Sequence, residues 1–225
     1  MSQVSVIICA FNAAKTLEET LNSVANQTLA ATEIILVNDG STDTTVEVAK
    51  KFPQVTVVNQ IHKGVGTAIN NGLSRATSEF IAFIDSDDLW TPNCLELQMT
   101  TLKANPQASG SVGWLEEFIC PSLTADQASR FKIRESQIAW VNGATLIRRS
   151  LYEKIGKLNT ELTIGEWIDW ISRAKNSKHQ FVTHESIILK RRLHPSSLSI
   201  QRKKNPRDGM LDVVRLALER KKATK

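Results

Sequence analysis

Three aspartates within four positions, Asp85, Asp87 and Asp88 around Ser86, close the apolar run 80–84. Such a run reads as a strand buried on both faces. Carboxylates released together at its tip repel one another, and as hard oxygen ligands they suit a divalent cation bound to a phosphate. The same residues suit an acidic turn capping the helix after Trp90-Thr91-Pro92, because Asp also favours turns and N-caps. Asp39 stands where a second apolar run, 33–37, gives way to Gly40-Ser41-Thr42-Asp43. A carboxylate there can accept the imide N–H of a uracil or thymine ring, with Gly40 letting base or ribose approach the backbone. An Asx turn or a helix cap is the plain alternative, and Asn12, after Ala10-Phe11, has the same two readings. Lys63-Gly64-Val65-Gly66 matches neither the dinucleotide fingerprint nor a P-loop. It fits a ligand brought to a helix N-terminus, where backbone N–H groups favour phosphate.

Positioning these residues requires a regular scaffold, and the first hundred residues supply its pattern. Strand-like runs at 4–10, 33–37, 55–58 and 80–84 alternate with segments whose apolar residues recur at helical spacing: Leu17, Leu21 and Val24; Val46 and Ala49; Ile69, Leu73 and Ala76. That alternation predicts a parallel α/β sheet. In such sheets ligands collect beyond the carboxyl ends of the strands, so the polar loops after the four strands converge on one site. From 104 to 138 the regularity fades: a strand at 111–115 precedes a polar stretch, 124–137, expected as loop or short helix. A strand over 140–147, helices near 150–155 and 166–175, and a strand at 187–189 complete the expectation.

The chain has 225 residues and a net charge of +5, enough for one full core plus a tail. Residues 201–225 hold nine Lys and Arg against three acids, so the tail carries +6 and the rest of the chain −1. A neutral body argues against nucleic acid as a partner. The tail reads as a solvated helix, or as one touching an anionic membrane face or a partner through Leu211, Val214 and Leu218. Three widely spaced cysteines, Cys9, Cys94 and Cys120, fit neither a disulfide framework nor zinc-ligand spacing. With no leader and no spanning run expected, the reading is cytoplasmic, with peripheral contact at the inner membrane face through the basic tail.

Taken in order, Val6-Ile7-Ile8-Cys9-Ala10-Phe11-Asn12, Val37-Asn38-Asp39-Gly40-Ser41-Thr42-Asp43, Lys63-Gly64-Val65-Gly66 and Phe83-Ile84-Asp85-Ser86-Asp87-Asp88 resemble the nucleotide-sugar half of a family 2 inverting glycosyltransferase. Asn142-Gly143-Ala144, the stretches 147–150 and 166–173, and Arg191-Arg192-Leu193-His194 resemble its acceptor half. The resemblance implies a GT-A fold: a Rossmann-like, mostly parallel sheet flanked by helices, with a C-terminal acceptor-side subregion. The implied organisation is a domain over 1–200, divided into a nucleotide-sugar half (1–103) and an acceptor half (104–200), then a basic helical tail (201–225). It also implies that Asp39 recognises the nucleobase, that Ala10, Phe11 and Asn12 line its pocket, and that Lys63, Gly64, Asp85 and Ser86 serve the nucleotide sugar. Asp87 would bind Mg²⁺ or Mn²⁺, with His194 near the metal or diphosphate; a capped surface histidine is the plain reading of His194.

Two positions depart from the family pattern. Glu166 is followed by Trp167 where the family commonly has the Asp that acts as general base, and the next carboxylate is Asp169. Residues three apart share a helix face, so either can reach an acceptor hydroxyl. Asp169 is the favoured base, flanked by Trp167 and Trp170 rings that could stack on a sugar and exclude water; core tryptophans with a capping Glu166 are the alternative. Ile69 stands where many relatives carry an Arg, which removes one phosphate contact. The resulting expectation is metal-dependent transfer from a nucleotide sugar, a UDP-sugar by preference, to the hydroxyl of a saccharide, lipid or peptide acceptor. A non-transferring nucleotide-sugar binder and a sugar-1-phosphate nucleotidyltransferase are the rival readings.

Overall fold

The computed structural model describes residues 3–162, 164–197 and 207–223. The four apolar runs become β1 (Val4–Ala10), β2 (Glu33–Asn38), β3 (Val55–Asn59) and β4 (Phe80–Asp85), all parallel in the order 3-2-1-4. Both faces of β1 are covered, which is why its sequence is apolar almost throughout rather than alternating. Val4, Val6 and Ile8 pack with Leu17, Leu21 and Val24 of α1 (Leu17–Ala25) and with Val48 and Ala49 of α2 (Thr45–Lys50). Ile7, with Ile35 and Val37 of β2, packs on the other face against Ala68, Ile69 and Leu73 of α3 (Val65–Leu73). Each fully buried Leu or Ile contributes roughly 1.5–3 kcal/mol, so this double covering fixes the strand register. Ile69 belongs to that core and is 1% exposed, so the departure from Arg is absorbed by packing.

The second half completes the sheet in mixed orientation. After the two-residue strand β5 (Leu89–Trp90) come α4 (Cys94–Ala104), β6 (Gly110–Ile119), the short helix α5 (Ala125–Ala128) and β7 (Gln137–Ile138). A 3₁₀ turn at Asn142–Ala144 leads into β8 (Thr145–Arg148), then α6 (Arg149–Ile155), α7 (Glu166–Asn176), β9 (Phe181–Leu193) and α8 (Arg207–Ala223). Strand β8 runs antiparallel to β4, β6 antiparallel to β8, and β9 parallel to β6. The expected strand at 187–189 is therefore the middle of one that starts at Phe181, and the one at 111–115 extends to Ile119. The expected strand over 140–147 is half turn, half strand. In the polar stretch, α5 exists because Thr124 and Gln127 form a reciprocal capping box.

In the tail helix, Val213 is buried and Arg220 reaches Asp169 of α7, so the helix is attached to the body. Leu211, Val214 and Leu218 are 61%, 51% and 54% exposed. Among the described residues no helix is long and apolar enough to cross a membrane.

Candidate active site

The chain leaves β3 and re-enters the sheet on the other side of β1, so the crevice between the carboxyl ends of β1 and β4 is the topological switch point. Cys9 is in register with Asp85, and Ala10 with Asn38, the residue before Asp39. The Asp39 N–H donates to the Ala10 carbonyl at 2.8 Å, so Asp39 and Asp85 stand on either side of the end of β1. The Cys9 thiol there is pushed well up by burial first and then by the charges of Asp85, Asp39 and Glu166 in that order.

Asp39 is 4% exposed and its carboxylate accepts three hydrogen bonds: Oδ1 takes Gln60 Nε2 at 2.7 Å and the Lys63 N–H at 2.8 Å, and Oδ2 takes the Gly64 N–H at 2.9 Å. His62 Nδ1 bonds to the Asp39 carbonyl oxygen at 3.0 Å and lies 2.9 Å from Oδ2. Gly64, at φ +87°, immediately precedes α3, so Asp39 ties the Lys63-Gly64 turn to the helix N-terminus. Gly40, at φ +76°, leaves room for the His62 backbone rather than for a ligand: a Cβ there would lie 2.8 Å from the His62 nitrogen. Phe11 is 46% exposed and stacks on the His62 ring, with centroids 4.1 Å apart. Ala10 is buried behind it. Asn12, at φ +49°, accepts the Thr42 N–H at 2.8 Å and donates its own N–H to Ser41 Oγ, stapling the first loop to the second.

At the tip of β4, oxygens of Asp85, Asp87 and Asp88 lie within 4.8 Å of one another. Asp85 Oδ1 accepts Asn142 Nδ2 at 3.0 Å. Burial first, then the charge of Asp87, pushes the Asp85 carboxyl up. Asp88, which accepts the Arg192 N–H, is pushed well above the carboxylate range by burial, then by Asp87 and Asp85. His194 Nε2 lies 2.9 Å from Asp87 Oδ2, with Nδ1 on Ser196 Oγ. Ser86 lends its carbonyl to Thr16 Oγ1 at 3.0 Å, which pins the turn to the start of α1. This donor set fits Mg²⁺ or Mn²⁺: crowded carboxylates that disfavour their own ionisation are what a hard dication relieves.

Glu166 and Asp169 separate cleanly. Glu166 opens α7 beside Gly66, where a Cβ would lie 3.5 Å from its Cγ. Asp169 is 0% exposed and sits between two guanidiniums, Arg173 Nε at 3.1 Å on Oδ2 and Arg220 Nη1 at 2.6 Å on Oδ1. The carboxylate favoured from sequence as the base is thus buried and paired with two guanidiniums. The sugar-stacking role of the tryptophans is corrected. Trp167 packs edge-on to Phe83 and stacks on Trp170, and Trp170 donates to the Gly156 carbonyl at 2.8 Å, so both rings are core.

Three residues at the site had no assigned part from sequence: Gln60, His62 and Asn142. Asn142 carried the clearest signal, a polar residue before Gly143 and an apolar strand. Its partner, Asp85, is distant in sequence, so the pairing was not legible.

The family profile of glycosyl transferase family 2 matches residues 5–156, and the chain belongs to that family. Within it, 103 residues are 40% identical to the glycosyltransferase YibD of Escherichia coli K12, covering 44% of this chain and 30% of that one. Another 36% identity over 105 residues joins it to the Escherichia coli UDP-Glc:alpha-D-GlcNAc-diphosphoundecaprenol beta-1,3-glucosyltransferase WfgD, covering 45% of this chain and 42% of that one. The match thus spans less than half of either relative. The mannosyltransferase PcManGT of Pyrobaculum calidifontis, solved with GDP-Man and Mn²⁺, superposes at a TM-score of 0.74 with 19% identity over 96% of this chain and 64% of that one. Staphylococcus aureus TarS with UDP-GlcNAc does so at 0.70 with 21% identity, covering 87% and 60%. The fold is GT-A.

Proposed function

We propose that this chain is a metal-dependent inverting glycosyltransferase that moves a sugar from a nucleoside diphosphate, UDP by preference, to an acceptor hydroxyl. The observation that carries the reading is the placement of Asp39 and Asp85 on either side of the end of β1, with Asp87 and Asp88 clustered beside Asp85. Residues 1–103 form the nucleotide-sugar half, 104–200 the acceptor half, and 201–225 a basic tail whose described part, Arg207–Ala223, is helical. Support for the donor class comes from the complexes of fold relatives with UDP-GlcNAc and with GDP-Man and Mn²⁺.

In this mechanism Phe11 carries the base on its ring face and Asp39 accepts its imide proton. Asp87, with Asp85 and His194 beside it, holds the dication, and Asn142 keeps the Asp85 carboxyl turned toward the crevice. When bound, the metal supplies Lewis-acid stabilisation of the departing diphosphate. Glu166 takes the acceptor proton as the oxygen attacks the anomeric carbon from the face opposite the diphosphate, and one displacement inverts that centre. Its place on the first turn of a helix whose other face is anchored in the core gives it a fixed position. Acceptor class, whether saccharide, lipid or peptide, belongs to the 104–140 region.

A panel of UDP-, GDP- and dTDP-sugars in a thermal-shift assay, with and without Mn²⁺, tests the reading. A ligand bound only by the folded state raises its midpoint. One donor should raise it with Mn²⁺ and less without. No shift from any donor overturns the proposal.

A further inference from the structure

We propose that His62 competes with the nucleobase: its imidazole sits on Phe11 and bonds to Asp39, the two contacts assigned to the base, and it must rotate away for the donor to bind. The inference deepens the donor-site reading above and rests on it. The His62 and Phe11 rings are stacked, with centroids 4.1 Å apart and 26° between planes. Its Nδ1 lies 2.9 Å from Asp39 Oδ2 and 3.0 Å from the Asp39 carbonyl oxygen. Both partners are acceptors only, so Nδ1 carries the hydrogen and donates. An aromatic face with an N–H directed at Asp39 is the recognition pattern of a uracil ring, reproduced here by a side chain of the protein.

The remaining contacts decide which group yields. Asp39 takes three hydrogen-bond donors, Gln60 and the Lys63 and Gly64 N–H groups, and His62 Nδ1 stands 2.9 Å from its Oδ2, in the space an imide N–H would need. Two of the donors are backbone N–H groups at the start of α3. The third, Gln60, is held in turn by Asn71 Nδ2 on its Oε1 at 2.9 Å. The His62 side chain is 56% exposed, so one side-chain rotation carries it into water without disturbing the others. Three donors then still orient the carboxylate while one acceptor direction opens to the crevice. A competing side chain lowers apparent affinity by the fraction of molecules in which it holds the site. Removing it therefore tightens nucleotide binding, roughly three- to tenfold for one exposed aromatic stack.

Two measurements on the full chain test this. In ¹H–¹³C spectra, the His62 ring protons should start upfield, under the Phe11 ring current, and move to exposed-histidine positions as UDP with Mg²⁺ saturates the protein. By calorimetry, His62→Ala should bind UDP three- to tenfold tighter than the wild type, with the melting midpoint of the free protein lowered by about 1–6 °C for the same lost stack. Ring protons that stay upfield at saturation, or a His62→Ala affinity that is equal or weaker, overturn the proposal while leaving the donor site intact. If neither protein binds any nucleoside diphosphate, the donor-site reading falls and this one with it.

Discussion

Replacing Asp169 by Asn separates a structural carboxylate from a catalytic one. The change keeps the side-chain volume but leaves Arg173 and Arg220 without their shared carboxylate, inside a site where Asp169 is fully buried. Removing one partner of a buried ion pair costs about 3–5 kcal/mol. The low end applies here, because the Arg220 side chain is 34% exposed and Arg173 also donates to the carbonyls of Ile155 and Lys157. A loss of about 3 kcal/mol, at about 2–4 °C per kcal/mol for a chain of this size, lowers Tm by about 6–12 °C. Measured by circular dichroism melting, that drop should accompany a transfer rate, taken well below the new midpoint, within about threefold of wild type. Glu166→Gln should show the reverse: Tm held, and kcat reduced about 10²- to 10⁴-fold, the usual weight of a positioned general base. An Asp169→Asn protein that melts normally but no longer transfers, or a Glu166→Gln protein at full rate, would refute the assignment of the base to Glu166.

Two further outcomes concern the frame that carries the site. Glu33 accepts Ser5 Oγ and the N–H and hydroxyl groups of Thr77 and Ser78; burial raises its carboxyl, but these bonds together outweigh that and hold it below the usual range. Its contribution is therefore fully present above about pH 4.3 and lost as pH falls through the lowered value. Glu33→Gln should lower Tm at pH 7 by about 2–4 °C, for a loss of about 1 kcal/mol, and flatten the acid side of the stability profile; an unchanged profile counts against the clamp. Gly72 lets α3 lie on the sheet, since a Cβ there would stand 2.5 Å from Ile7 Cγ2. Gly72→Ala should destabilise by up to about 2 kcal/mol in urea melts, overpacking of about 1–3 kcal/mol being offset in part by the helix gain of about 1 kcal/mol, and a more stable variant would refute the close approach.

How much was legible differed between the two halves. Strands β1 to β4 were readable because burial on both faces leaves continuous apolar runs, and because the turns between them are built from residues adjacent in the chain. Strands β6 and β9 were read short: polar and charged residues such as Glu116, Glu117, Lys190 and Arg191 interrupt the apolar pattern, and only mutual pairing makes them strand.

The amino-acid sequence by itself determined that carboxylates would stand at the tips of parallel strands, since periodicity and turn chemistry are local properties. It also determined that Glu166 and Asp169 would share a helix face. How each is partnered was decided only by tertiary structure, because Arg220, on a helix beyond the acceptor half, meets Asp169. His62 was decided the same way: its ring reaches Phe11 and Asp39 only once β1, β2 and β3 lie side by side. The physical reason is common to both. A side chain's partner, unlike its helical or strand periodicity, depends on groups far away in the chain, and only packing brings them within bonding distance.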